Sequence, residues 1–196
     1  MLKLLLATTN QGKIREIKEV LKDIPLEIIT LNDLNINIGV EENGKTFEEN
    51  AIIKTKIIGK RTGYITLGED SGLEVDALNG RPGIYSARYC EGTDKDRNDK
   101  LLRELKGTAK DKRTARYRAV VAVYDPNKKT INTFEGMSEG FIIEKPIGTN
   151  GFGYDPIFYN LDLKKTNAEI SLSEKNKVSH RGRALEKCKE YLKSLS

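Results

Sequence analysis

Leu2-Lys3-Leu4-Leu5-Leu6-Ala7-Thr8-Thr9-Asn10-Gln11-Gly12-Lys13-Ile14 decides how this chain folds. With Met1, the residues to Ala7 make an apolar run of strand length that passes without a break into hydroxyl and amide side chains. A helical pattern follows, with Ile14, Ile17 and Leu21 on one face and Lys18, Glu19 and Lys22 elsewhere. The order strand, polar loop, helix is the opening of an α/β unit, with the strand buried. Its loop is also the first candidate site. Backbone N–H groups and the helix dipole at such a junction favour an anion, and Thr8, Thr9, Asn10, Gln11, Gly12 and Lys13 supply groups that suit phosphate oxygens. Ser, Thr and Asn are equally ordinary helix caps, and the glycine spacing of a Walker A sequence is absent.

Working outward, Leu26 to Leu31 reads as a second strand and Asn32 to Lys45 as irregular chain. Thr46 with Glu49 forms a capping box that opens a helix through about Arg61, stopped at Gly63. Tyr64 to Leu67 and Leu73 to Ala77 read as strand pieces on either side of a tight acidic corner, Gly68 to Gly72, and Asn79 to Gly83 as a turn. Asp94 to Lys106 carries Leu101, Leu102 and Leu105 on what reads as an exposed helix. Ala115, Tyr117, Ala119, Val121 and Val123 alternate as a long strand, with Ile131 to Glu135 its hairpin partner across Asp125-Pro126-Asn127. After a glycine-rich loop, Gly148 to Pro156, the box Ser171 with Glu174 opens one long amphipathic C-terminal helix carrying Val178, Leu185, Cys188, Leu192 and Leu195.

Composition narrows the function classes. The chain has 196 residues, 37% hydrophobic, with 34 Lys and Arg against 29 Asp and Glu. A sizeable core is expected, in one α/β domain spanning 1–196. The net charge of +5 favours anionic partners, but no long run of one sign appears. Cys90 and Cys188 lack the number and spacing of a disulfide framework or zinc site, so a reducing compartment is the default. No apolar stretch is long enough to cross a bilayer, and the protein is expected in the cytoplasm without a membrane partner.

Three further clusters can carry chemistry. Asp70, beside Glu69 and Ser71 at the expected end of a buried strand, stands where carboxylates meet ligands, and Glu42 lies in the polar loop ahead. Such carboxylates bind Mg²⁺ together with substrate phosphates. Phe152, Gly153, Tyr154 and Asp155 combine rings that can stack on a flat ligand with an acid that can accept from a base N–H; buried aromatics in a tight turn are the plain alternative. Lys175, Ser179, His180, Arg181 and Arg183 gather in the first turns of the last helix. No G-x-S-x-G elbow accompanies the lone histidine, so a serine hydrolase is not supported. A nucleic-acid-binding module would explain the charge but not Asp70.

Taken in order, Ala7 to Asn10 with Lys13, Thr46 to Ala51 with Lys54, Glu69 to Leu73, Gly80 to Tyr89, Gly151 to Phe158, and Glu174 to Asn176 with Ser179 to Arg181 resemble the Ham1-like inosine triphosphate pyrophosphatase family over nearly the whole chain. The resemblance implies a long mixed central sheet flanked by helices in two lobes with an interlobe nucleotide cleft, and a homodimer. It also implies Mg²⁺-dependent hydrolysis of ITP, dITP and XTP to the monophosphate and pyrophosphate, with no nucleic acid as partner. By the same resemblance Thr8 to Lys13 form the triphosphate loop and Lys54 is a further phosphate contact. Asp70 activates water and helps hold metal, Ser71 touches the nucleotide, and Glu42, or the adjacent Glu41, is the second metal ligand. Phe152, Gly153, Tyr154 and Asp155 read the base, and Lys175, His180 and Arg181 form the other wall of its pocket.

Overall fold

The computed structural model describes residues 2–195. Met1, which the sequence reading includes in the first strand, lies outside them, as does Ser196. A seven-stranded sheet has the order β2-β1-β3-β4-β5-β6-β7. Strand β1 (Leu2–Leu6) pairs in parallel with β2 (Leu26–Thr30) and with β3 (Ile65–Val75). Helix α1 (Gln11–Leu21) links β1 to β2, and α2 (Phe47–Thr62) links β2 to β3. The chain therefore leaves β1 towards one neighbour and returns on its other side. That reversal leaves the carboxyl end of β1, residues 7–10, at a switch point where α/β sheets bind ligands.

The chain divides into two compact units, Met1–Asp70 with Ala119–Gly136 and Arg181–Ser196, and Ser71–Arg118 with Met137–His180. In the first, β1 is buried on both faces, as a parallel central strand must be. Leu4 and Leu6 pack with Ile14 and Ile17 of α1, and with Leu185, Cys188 and Leu192 of the last helix. Leu5 and Ala7 face the other way, with Ile29 and with Ile58 of α2. In the second unit, β6 (Phe158–Asn160) and β7 (Lys165–Thr166) extend the sheet in antiparallel pairs beyond β5 (Thr130–Ile142). Here Leu73, Leu101, Leu105, Tyr117, Tyr154 and Phe158 form the core.

Two sequence expectations are corrected. The acidic corner does not exist, because β3 runs through it without interruption. Gly68 and Gly72 read as turn residues, yet Gly68 serves packing. A Cβ there would stand 2.0 Å from Thr55 Oγ1 and 3.2 Å from Thr55 Cβ, so the missing side chain lets α2 press onto β3. Nor is the C-terminal helix continuous. Helix α4 (Leu172–Val178) ends at Ser179, whose backbone is extended, and α5 (His180–Lys193) starts at the next residue. Serine is tolerated inside a helix, so the amphipathic stripe ran across the break unmarked.

Other boundaries follow local chemistry as read. Thr46 accepts from Glu49 N, and Gly63 closes α2 at φ 74° with its N–H on Gly59 O. The expected box is half formed, since the Glu49 carboxylate takes the Lys45 N–H instead of the Thr46 N–H. Asp125 Oδ1 accepts from Asn127 N and Lys128 N in the turn from β4 (Thr114–Asp125) to β5. Gly68→Ala should destabilise the fold by roughly 1–3 kcal/mol, the usual cost of overpacking. A urea midpoint would measure it, and Thr55→Ala added to Gly68→Ala should recover part of the loss.

Candidate active site

Strand periodicity organises the first unit's charged groups. Alternate residues of β3 face opposite sides of the sheet, which sends Leu67 and Glu69 towards α1 and α5, and Thr66, Gly68 and Asp70 towards α2. On the first side Glu69 is buried, and Lys13 Nζ lies 3.1 Å from its Oε2. Arg181, the first unit's residue at the start of α5, donates to both Glu69 oxygens from Nε and Nη2, and to Glu16 from Nη1. Burial works against the Arg181 charge, but Glu69 and Glu16 outweigh it and raise its pKa further. Lys13 is pulled the other way: burial lowers its pKa, Glu69 opposes this, and Arg181 and Lys54 add to it.

On the second side Asp70 is 7% exposed. Its Oδ2 accepts from Asn50 Nδ2 at 3.2 Å. One turn along α2 from Asn50, Lys54 pairs with Glu42 at 2.5 Å. Asn50 Oδ1 also accepts from Gly44 N, so one buried amide ties Asp70 to the loop that carries Glu42. Of the two adjacent acids, Glu41 is exposed, whereas Glu42 is half-buried and near enough to Asp70 to act on it. Burial raises the Asp70 pKa, Lys54 and Lys13 draw it back, and Glu42 and Glu69 push it up again.

At the head of α1, Asn10 is a helix cap whose Oδ1 accepts from Lys13 N at 3.1 Å. Thr8 Oγ1 accepts from Asn10 N, and Gln11 Nε2 donates to Thr9 O. Thr9, Asn10 and Gln11 are exposed at the sheet's switch point, and Gly12 is buried. The chemistry of this region fits a hard divalent cation. Asp70 and Glu42 are hard oxygen donors, and Asp70 accepts its one hydrogen bond on Oδ2 alone. Among the described residues no three His, Cys, Asp or Glu side chains converge to hold a metal unaided.

The second unit holds the remaining candidates. Ser71, the next residue of β3 after Asp70, is half-buried. Asp155 is buried, accepting on Oδ2 from Lys175 Nζ at 2.5 Å and from Phe152 N at 2.9 Å, and on Oδ1 from Asn167 Nδ2 at 3.2 Å. Gly151 takes φ 78°, and a Cβ there would meet Asp155 Oδ2 at 2.1 Å. Lys175 Nζ lies 4.9 Å from the centre of the half-buried Phe152 ring. Tyr154 is a core residue, its hydroxyl donating to Ser86 O at 2.9 Å, and burial raises its pKa. His180 is buried, stacked on Tyr117 at 4.6 Å. The sequence reading singled out neither Asn50 nor Glu16. Both are helix residues whose roles depend on β3 lying opposite.

The first unit of this α/β protein thus sets cations and buried acids near the carboxyl end of a central parallel strand, and the second unit, by itself, holds a lysine-backed aromatic loop. The model of the Ham1 family matches residues 4–191. The chain belongs to that family. It is 50% identical to a dITP/XTP pyrophosphatase of Clostridium perfringens, over 100% of this chain and 99% of the relative. Among solved structures, a HAM1 protein from Coxiella burnetii has a TM-score of 0.88 at 40% identity, covering 99% of this chain and 100% of that one. The Staphylococcus aureus Ham1 protein has a TM-score of 0.86 at 39% identity, with the same coverage.

The Asp70 environment fixes a sign. A carboxyl whose pKa is raised by folding contributes stability that is present at acid pH and lost as pH rises through the folded pKa. Asp70→Asn should therefore melt above the native chain near pH 7, with the gap closing as pH falls below the ordinary carboxylate range. Thermal melts across that span would measure it.

Proposed function

We propose that this protein is a nucleoside triphosphate pyrophosphohydrolase acting on ITP, dITP and XTP, and releasing the monophosphate and pyrophosphate. One observation carries the reading: a buried, under-compensated carboxylate, Asp70, has two lysines, Lys13 and Lys54, within electrostatic reach. Relatives matching 95–100% of the chain are named dITP/XTP pyrophosphatases, which supports the same substrate class.

In this reading Thr8 to Gln11, the Gly12 and Lys13 backbone and the two ammonium groups bind the triphosphate, Lys13 and Lys54 stabilising charge on the departing pyrophosphate. Asp70 accepts a proton from water as the water oxygen bonds to the α-phosphorus and the bond from that phosphorus to the bridging oxygen breaks. Its raised pKa makes it a stronger base than an ordinary carboxylate, and Asn50 holds the carboxylate for that role. Asp70 and Glu42 would hold Mg²⁺, which when bound would neutralise further phosphate charge.

Base choice follows from donors. Hypoxanthine and xanthine offer O6 as an acceptor, whereas adenine presents amino hydrogens there. Lys175 and His180 supply the donors in this reading, whereas Arg181, expected beside them, is committed to Glu69 and Glu16. Phe152 stacks on the base while Ser71 touches the nucleotide, and Gly153, Tyr154 and Asp155 hold the loop in shape. The reading extends to a homodimer in the cytoplasm, with Mg²⁺ as the working cation. Unpaired Cys90 and Cys188 agree with a reducing compartment. No helix among the described residues is long and apolar enough to cross a membrane.

A panel of nucleoside triphosphates with Mg²⁺ tests the proposal. ITP and XTP should be cleaved in preference to ATP by roughly 10⁴-fold in kcat/KM, giving pyrophosphate as a primary product. Orthophosphate with a diphosphate would overturn it. Asp70→Asn should lower kcat by about 10²–10⁴-fold, the range for losing a general base, with far less effect on KM.

A further inference from the structure

Helix α3 (Asp94–Glu104) reads in sequence as a surface helix, with its leucines turned to the core. Its opposite end of interest is polar. A complete capping box, Thr93 with Asp96, fixes where the helix starts, so Asp94 and Asn98, four residues apart, share one face. Both reach the same residue of the glycine-rich loop. Asp94 Oδ2 accepts from Gly153 N at 2.7 Å, and Asn98 Nδ2 donates to Gly153 O at 3.1 Å. One helix thus holds both backbone polar groups of a residue more than fifty positions away, in a left-handed conformation at φ 64°.

The Asn98 side chain has a second peculiarity. Asn98 is 5% exposed, and its Oδ1 is buried without a hydrogen-bond partner. A buried acceptor left unpaired weakens the fold, and an aliphatic side chain of similar size would avoid that cost. Packing alone therefore does not account for an amide here, whereas the bond to Gly153 does. Gly153 lies between Phe152, the half-buried ring beside Lys175, and Tyr154, whose ring is locked in the core. With Tyr154 anchored on one side, the fixing of Gly153 determines where the Phe152 ring stands.

We propose that Asp94 and Asn98 are positioning residues for base selection: by clamping Gly153 they hold the Phe152 ring in place for the purine. This rests on the reading of residues 151–155 as the base-contacting loop. The clamp should show in three variants. Asn98→Leu removes the donor and the orphaned acceptor together, Asp94→Ala removes the other contact, and Asp94→Asn keeps an oxygen able to accept from Gly153 N.

Asn98→Leu and Asp94→Ala should each raise KM for ITP about tenfold, the equivalent of one good hydrogen bond, with a much smaller change in kcat and a narrower preference for ITP over ATP. Asp94→Asn should restore a KM near that of the native chain. Amide hydrogen exchange across residues 151–155, measured without nucleotide, should accelerate in the first two variants and not in the third. An unchanged KM and preference in either folded variant would overturn the proposal, as would unchanged loop exchange. If Asn98→Leu fails to fold, Asp94→Ala carries the test. If the native chain cleaves neither ITP nor XTP, the functional reading fails by itself, and loop exchange still decides whether the clamp exists.

Discussion

Two neighbouring carboxylates in the middle of a buried strand are the constraint on which the first unit depends. Glu69 and Asp70 are 2% and 7% exposed, and removing ionised acids from water is costly unless cations or hydrogen-bond donors replace the solvent. Strand geometry sends them to opposite faces, so each needs its own set of partners. Glu69 obtains Arg181 and Lys13 from helices that also carry the main core stripe. Asp70 obtains one amide hydrogen bond from Asn50, with Lys54 and Lys13 acting from further off.

The difference between the two acids separates structure from chemistry. Glu69 has two cations in direct contact and is locked; replacing either partner would strand a buried charge. Asp70 is left short of compensation, and its raised pKa is the physical record of that shortage. An acid held in this way is poised to take up a proton or a cation. In the second unit Asp155 resembles Glu69: Lys175, the Phe152 amide and Asn167 occupy its carboxylate, which makes it a scaffold for the aromatic loop.

Much of this was legible in the sequence because it is local. The β1 strand, its polar loop and α1 were readable from hydropathy, and the Thr46 and Ser171 caps and the Gly63 stop from capping-box spacing and glycine chemistry. The stretch Gly68 to Gly72 was not. Glycines and acids are turn formers by propensity, and here tertiary partners override it: Thr55 requires Gly68 to be small, and Arg181, more than a hundred residues away, makes Glu69 tolerable inside a strand. The break at Ser179 carried no breaker residue, so two helices read as one. Asn50, Glu16, Asp94 and Asn98 escaped notice for a common reason: each is ordinary on a helix surface and gains its role from a strand or loop distant in sequence.

The chemistry assigned to Asp70 predicts which phosphorus is attacked, and isotope tracing reads this directly. With ITP as substrate in water enriched in the heavy oxygen isotope, attack at the α-phosphorus places one heavy oxygen in inosine monophosphate and none in pyrophosphate, as mass spectrometry of the two products would show. Heavy oxygen in the pyrophosphate would place the attack on the β-phosphorus and contradict the geometry of proton transfer assigned to Asp70.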